Sequence, residues 1–120
     1  MHELMVTESI RDIALRHAEE AHATRITDLF LVIGELSSIV DDSVQFYWDF
    51  VTEGTMAEGA TLHFRRIPAE MTCSACGHRY SPRRALPCPA CDSNDVRVTA
   101  GEEFFLEAIE VENEKAEIRE

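Results

Sequence analysis

The pattern of apolar and polar positions predicts two helices and three main strands. From Leu4 to His22 there is no glycine or proline, and small or apolar residues recur every three or four positions, which is typical of an amphipathic helix. The apolar stripe of this helix consists of Ile10, Ile13, Ala14, His17, Ala18 and Ala21. The helix is expected to end near His22 without a glycine cap.

The next segment, residues 25–33, predicts a buried strand. Its positions 29–33 are all apolar, so both faces of the strand should be covered by other parts of the protein. Gly34 closes the strand, and residues 35–38 form a connection.

A second helix is predicted to begin at one of three candidate N-cap residues, Asp41, Asp42 or Ser43, and to end at Gly54. Its apolar positions follow at i, i+3, i+4 and i+7, and they are Val44, Tyr47, Trp48 and Val51. Two interpretations of the aromatic side chains are open, a partner-binding patch and core packing on the strand. Core packing is favoured because helical spacing marks core faces.

Two more main strands are predicted, at residues 61–67 and 104–111. Pro68 stops the first, and the alternation of the second slips at Glu107-Ala108, where a bulge is expected. Val96 and Val98 indicate a short strand between them. The polar end, residues 113–120, is expected to fray.

Together these elements predict an α+β fold, a small three-stranded sheet covered by two helices with an inserted four-cysteine zinc-ribbon module. The strands at 61–67 and 104–111 flank the insert, so we expect them to pair. The predicted domains are a discontinuous α+β domain of residues 1–69 and 101–120 and a zinc-ribbon domain of residues 70–100.

All four cysteines fall in two C-x-x-C pairs, Cys73 with Cys76 and Cys88 with Cys91. Two such turns supply the four thiolates of a tetrahedral, structural Zn²⁺ site. Gly77 and Pro89 suit tight turns. Two disulfides or a redox dithiol pair are the alternatives. Disulfides need an oxidising compartment, and a redox C-x-x-C pair usually lies between a strand and a helix.

The charge of the chain restricts its partners. Acidic side chains number 23 against 11 basic ones, giving a net charge of −12. This balance opposes binding to nucleic acid or to an anionic membrane surface and suits cationic partners or metal ions. No apolar run approaches the roughly 20 residues of a membrane span, and a cytoplasmic protein is expected.

The first three residues offer a second metal site. The Met1 amine, the His2 backbone nitrogen and imidazole, and a donor from Glu3 form a tetragonal set that suits Ni²⁺ or Cu²⁺ better than Zn²⁺. By itself the signal is weak, because Met-His is also an ordinary start of a chain. The other histidines have no partners at ligand spacing, and we expect a core-edge His17, a solvated His22, an outward His63, and a His78 that donates hydrogen bonds near the thiolates.

These residues together resemble the HypA/HybF family of hydrogenase maturation nickel metallochaperones. The resemblance rests on Met1-His2-Glu3, on the Gly34-Glu35-Leu36-Ser37 turn, on Glu53-Gly54-Thr55, on the cysteine ribbon and on Gly101-Glu102, and it covers the chain up to Val111. It implies a non-enzymatic protein that delivers Ni²⁺ to the nickel–iron centre of a hydrogenase.

The resemblance also implies partners and ligands. The partners would be the GTPase HypB and the hydrogenase large subunit or its maturation complex, with the protein a monomer or a homodimer. Nickel would be held by Met1, His2 and Glu3, and zinc by the four cysteines.

Two other function classes stay open. A zinc-ribbon module that binds protein or nucleic acid would use Arg79, Arg83 and Arg84, the only basic cluster of the sequence, although the net charge of −12 opposes binding to nucleic acid. A dithiol oxidoreductase would require metal-free, reactive thiols.

Overall fold

The computed structural model describes residues 2–82 and 87–113, and for His2 it describes the backbone alone. In chain order the elements are α1 (His2–Glu20), β1 (Arg25–Gly34), α2 (Asp41–Thr52), β2 (Thr61–Ile67), β3 (Glu70–Cys73), β4 (Arg79–Tyr80), β5 (Val96–Ala100) and β6 (Phe104–Glu112). The two helices, three main strands and short strand at Val96 confirm the prediction, whereas β3 and β4 were not predicted. No described helix is long and apolar enough to cross a membrane. The predicted fraying falls mainly on residues 114–120, outside the described residues.

The first sheet has the strand order β2-β1-β6. The expected pairing of the two strands that flank the insert is therefore wrong, because β1 lies between them. β1 is therefore hydrogen-bonded to a strand along each of its two edges. The Thr24 hydroxyl donates a hydrogen bond to the Glu112 carbonyl, and the Thr27 hydroxyl donates one to the Glu110 carbonyl. The residue numbers therefore rise along β1 while they fall along β6, so the two strands are antiparallel.

A second sheet has the order β4-β3-β5, with both pairs antiparallel. Met71 of β3 is opposite Tyr80 on one side and Val98 on the other. This sheet carries the first cysteine at the end of β3.

The backbone contacts divide into two units, and the first contains the main apolar core. Its described part comprises residues 2–32, 39–65 and 105–113. Helices α1 and α2 pack against each other there. The buried side chains include Ile10, Ala14, Ala18, Ile26, Leu29, Leu31, Val32, Val44 and Trp48. Trp48 is fully buried, which confirms its assignment to the core, and Tyr47 is half-buried.

Helix α1 ends in a Schellman motif without glycine. The His22 amide donates to the Glu19 carbonyl, and the Ala23 amide donates to the Ala18 carbonyl, at 3.0 and 2.9 Å. His22 takes the left-handed conformation that this motif requires, with φ of 58°. A histidine thus occupies the position at which glycine is usual.

The N-cap of α2 is Val40, so the prediction of Asp41, Asp42 or Ser43 is wrong. Val40 has no capping side chain, and the carboxylate of Glu3 accepts a hydrogen bond from its backbone amide at 3.1 Å. Asp41 and Asp42 fall in the first turn instead, where their charge complements the helix dipole.

Strand β6 confirms the predicted slip in alternation. Phe104 and Leu106 are half-buried, as are Ile109 and Val111, while the two residues between them, Glu107 and Ala108, are both exposed. The side-chain pattern therefore changes phase at the expected place.

The second unit comprises residues 33–38 and 66–104. Few of the side chains that the structure describes in this unit are buried, and backbone hydrogen bonds join its two segments. The Gly34 amide donates to the Glu103 carbonyl and the Leu36 amide donates to the Gly101 carbonyl, both at 2.7 Å. The Ala69 amide donates to the Glu35 carboxylate, also at 2.7 Å.

Gly34 and Gly101 allow this close approach. A Cβ atom on Gly34 would lie 2.0 Å from the Gly101 carbonyl oxygen. A Cβ atom on Gly101 would lie 2.6 Å from the Ala69 Cα, and the φ of Gly101 is +107°. Only glycine fits these positions without displacement of the backbone.

We predict that His22→Gly stabilises the protein. An L-residue in the left-handed region costs roughly 1–2 kcal/mol, and glycine removes most of this cost. The free energy of unfolding from chemical denaturation should rise by about 1 kcal/mol. The control, Ala21→Gly, removes a side chain one position earlier without relieving a left-handed residue and should not stabilise. Equal effects of both substitutions would contradict the assignment.

We predict that Gly34→Ala destabilises the second unit, since the added methyl group collides with backbone. The loss should be about 1–3 kcal/mol or more. Gly59→Ala is the control, because its Cβ atom would meet nothing within 4 Å although its φ is +80°. Hydrogen exchange of the amides of Leu36 and Ala69 measures the effect locally, and unchanged protection in Gly34→Ala would refute it.

Candidate metal centre

The first cysteine turn follows β3. The Gly77 amide donates to the Cys73 carbonyl at 2.8 Å, and the Cys73 amide donates to the His78 carbonyl at 2.9 Å. Gly77 has a φ of 81°, so the residue after the second cysteine takes the left-handed conformation. This confirms the turn that was expected from Gly77.

The second cysteine turn repeats these contacts. The Asp92 amide donates to the Cys88 carbonyl and the Cys88 amide donates to the Ser93 carbonyl, both at 2.8 Å. Asp92, with a φ of 66°, takes the place of Gly77. Aspartate tolerates this conformation better than most residues, which is the signal that the sequence analysis missed. The Ala90 amide also donates to the Cys88 sulfur at 3.3 Å.

The two turns bring the four predicted cysteines together. Their sulfur atoms all lie within 4.8 Å of one another, with 3.6 Å between Cys73 and Cys91 and 3.8 Å between Cys76 and Cys88. Cys73 and Cys88 are buried, while Cys76 and Cys91 are exposed. All four are free thiols rather than disulfides.

The sulfur spacing fits a tetrahedral ion. Four sulfur ligands about 2.3 Å from one zinc ion lie about 3.8 Å from each other, close to the two distances above. Sulfur donors and the lack of an open position favour Zn²⁺ in a structural role. The cluster is therefore compatible with the predicted zinc site.

The thiols influence one another's ionisation. Burial opposes ionisation of Cys73, but hydrogen bonds from the amides of Cys76 and Ala75 outweigh it and lower the pKa of Cys73 to about 7. The Ser93 amide favours the Cys91 thiolate, yet the neighbouring Cys76 and Cys73 sulfurs raise the pKa of Cys91 to about 12. A bound cation would remove this repulsion, so binding and proton release are coupled.

Of the predicted nickel ligands, His2 and Glu3 lie at the start of α1. Met1 lies outside the described residues, as does the side chain of His2, whose backbone opens the helix. Glu3 is half-buried, and hydrogen bonds from its own amide and from the Val40 amide lower the pKa of its carboxyl group. The amides of a first helical turn have no acceptor within the helix.

The other histidines have different surroundings. His17 is 57% exposed and lies 3.6 Å from Glu20, so its expected place at the core edge is wrong. His22 is exposed, as expected. His63 faces outward, as expected, 2.8 Å from Asp28 and stacked on Phe30. His78 stacks on Tyr80.

Of the predicted basic cluster, Arg79 is exposed in β4, while Arg83 and Arg84 lie outside the described residues.

Comparison with known sequences identifies related proteins. The family profile described as "Hydrogenase/urease nickel incorporation, metallochaperone, hypA" matches residues 1–111. A hydrogenase maturation factor HypA from Dehalococcoides mccartyi is 48% identical over 115 residues, which cover 95% of this chain and 97% of that protein.

Solved structures agree on the fold. The solution structure of a HypA protein superimposes with a TM-score of 0.73 and 26% identity, covering 92% of this chain and 96% of that one. The solution structure of the Ni metallochaperone HypA from Helicobacter pylori has a TM-score of 0.66 and 23% identity, covering 92% and 97%.

We predict that the four sulfurs bind one zinc ion per chain and that Cys88→Ser lowers its affinity strongly. A serine hydroxyl is a poor replacement for a buried thiolate. Affinity should fall as the pH falls, because protons compete for the same sulfur atoms. Zinc content after dialysis against a chelator measures both effects. Ser93→Ala, which leaves every sulfur in place, should keep its zinc. Full zinc retention in Cys88→Ser would contradict the four-sulfur site.

Proposed function

The chain belongs to the HypA family of hydrogenase/urease nickel-incorporation metallochaperones, and from this membership we propose that it binds one Ni²⁺ at its N-terminus and delivers it for maturation of the nickel–iron centre of a hydrogenase. The observation that carries the proposal is the family match over residues 1–111, which contains both the opening tripeptide and the four-cysteine cluster. The protein acts as a carrier and not as an enzyme.

The proposed nickel ligands are the Met1 amine, the backbone nitrogen and imidazole of His2, and Glu3. Two features of α1 support them. The helix begins at His2, so the first amides are not needed as donors within the helix. Glu3 is the next residue of the helix, so its backbone nitrogen directly follows that of His2 and can act as the fourth donor.

Release to a partner follows from the kind of site. A chelate built from one chain terminus has no enclosing cage, so a partner's ligands can replace its donors one at a time. The acidic surface, with a net charge of −12, raises the local concentration of cations without selecting among them. Selection comes from the nitrogen-rich donor set, which favours Ni²⁺ over Zn²⁺.

Zinc has a separate, structural role in this proposal. Cys73, Cys76, Cys88 and Cys91 would hold it, and it would order a segment that buries little apolar surface. We assign residues 70–100 to the zinc-ribbon domain and residues 1–69 with 101–120 to the nickel-binding domain. The proposed partners are the GTPase HypB and the hydrogenase large subunit or its maturation complex, met in the cytoplasm by a monomer or homodimer.

We predict that untagged protein binds one Ni²⁺ per chain and that His2→Ala abolishes this binding without loss of zinc. Isothermal titration with nickel, together with zinc analysis of each sample, measures both. An extra residue before Met1 should have the same effect, because it displaces the amine from the chelate. His22→Ala, an exposed histidine elsewhere on the surface, is the matched control.

Nickel affinity should also fall as the pH drops below about 8, because the amine, with a reference pKa of about 7.7–8.0, must lose its proton. Normal nickel affinity in His2→Ala would exclude the proposed site. Binding of RNA in a salt-dependent gel shift, without nickel binding, would instead favour a nucleic-acid function.

A further inference from the structure

The solvent-facing side of α2 carries an aromatic row that the core does not use. Val44, Trp48 and Thr52 form the buried side of the helix. Phe46 and Phe50, one turn apart, point away from it and are 63% and 64% exposed. Their rings meet edge to face, with centroids 5.6 Å apart and an angle of 77°.

A polar row with two acidic residues runs beside the aromatic one. Gln45, Asp49 and Glu53 follow one another at intervals of four residues, all exposed. Glu58 joins them from the following loop, held by a hydrogen bond of 3.2 Å from the Gly54 amide. These residues and the two phenylalanines line a groove of about 570 Å³. We call this surface the α2 face.

Two independent features make exposure of the α2 face to solvent energetically unfavourable in the isolated chain. Phenylalanine is among the residues most often buried, and here two of them are exposed side by side. Asp49 and Glu53 lie at the C-terminal end of α2, where the helix dipole disfavours negative charge, and the last turn has no basic residue. Arg11 donates to the Val51 carbonyl at this end, but it is already paired with Asp12.

We infer that the α2 face docks a cationic amphipathic helix of a partner protein. Apolar side chains of that helix would cover Phe46 and Phe50, in the helix-in-groove manner, and its lysines or arginines would pair with Asp49 and Glu53. A helix suits the site because an aromatic ridge with four-residue spacing packs into the groove between the side-chain rows of another helix.

The charge of the groove decides against other occupants. A second copy of this chain would bring the same acidic residues and the same net charge of −12 against it. Nucleic acid is repelled for the same reason. The inference does not depend on nickel, because none of its residues is a proposed metal ligand.

The test uses the full chain and a synthetic probe. The probe is a 14-residue leucine–lysine peptide designed as an amphipathic helix, and a leucine–glutamate peptide of the same pattern is its charge-reversed counterpart. Titration calorimetry should show binding of the first peptide, weaker at high salt, and not of the second.

The variants locate the binding. Phe46→Ala with Phe50→Ala should weaken binding about tenfold or more, as expected for the aromatic centre of an interface. Phe105→Ala, which removes another exposed phenylalanine on β6, should change it less than about twofold. Asp49→Asn with Glu53→Gln should weaken binding, whereas the charge-matched Glu19→Gln with Glu20→Gln on α1 should not.

Three results would overturn the inference. The first is an equal loss of peptide affinity in the matched control variants, and the second is equal binding of both peptides. The third is a homodimer in analytical sedimentation that the double substitution Phe46→Ala with Phe50→Ala converts to a monomer. The last result would assign the face to a second copy. Nickel and zinc contents of the variants are measured alongside and should be unchanged, so failure here is distinct from failure of the proposed function.

Discussion

Four sulfur atoms within 4.8 Å of one another cannot all be ionised unless a cation lies among them. This electrostatic constraint matters most in the second unit, where Ile33 and Met71 are the large buried apolar side chains among the described residues. Structural zinc contributes roughly 10–16 kcal/mol to the folding of small zinc peptides, so a metal ion at this cluster would supply stability to a segment that buries little apolar surface. The first unit, by contrast, depends on ordinary burial around Trp48 and the strand β1.

The parts of the fold that follow from periodicity were predictable, and those that depend on backbone contacts were not. The helical spacing around Trp48 and the continuous apolar run of β1 identified the core correctly. The central position of β1 does not follow from its apolar pattern, because that pattern describes the two faces of the strand and not its two edges. The left-handed His22 and the N-cap Val40 do not follow local sequence rules. Two backbone hydrogen bonds complete the helix end at His22, while at Val40 the Glu3 carboxylate accepts from the amide of the N-cap residue itself.

The candidate sites show the same division. The cysteine spacing predicted the sulfur cluster residue by residue, since a C-x-x-C turn has few conformations. The left-handed conformation of Asp92 does not follow from the C-x-x-C spacing, because aspartate adopts it less readily than glycine. The opening tripeptide is a weak indication of a nickel site by itself. Its combination with the cysteine ribbon is what resembles the HypA/HybF family. The exposure of Phe46 and Phe50 does not follow from the helical spacing of Tyr47 and Trp48, which marks only the core face of α2.

The second unit is assembled from two separate stretches of chain, and this affects how such a protein can be rearranged. Residues 33–38 complete the backbone pairing of residues 67–69 and 101–103, through bonds such as that from the Glu35 amide to the Ile67 carbonyl. A ribbon cut out as one contiguous piece would lose these acceptors and donors. Exchange of ribbons between homologues, by recombination or by design, must therefore transfer residues 33–38 as well, because their hydrogen-bonding groups have to match those of residues 67–69 and 101–103.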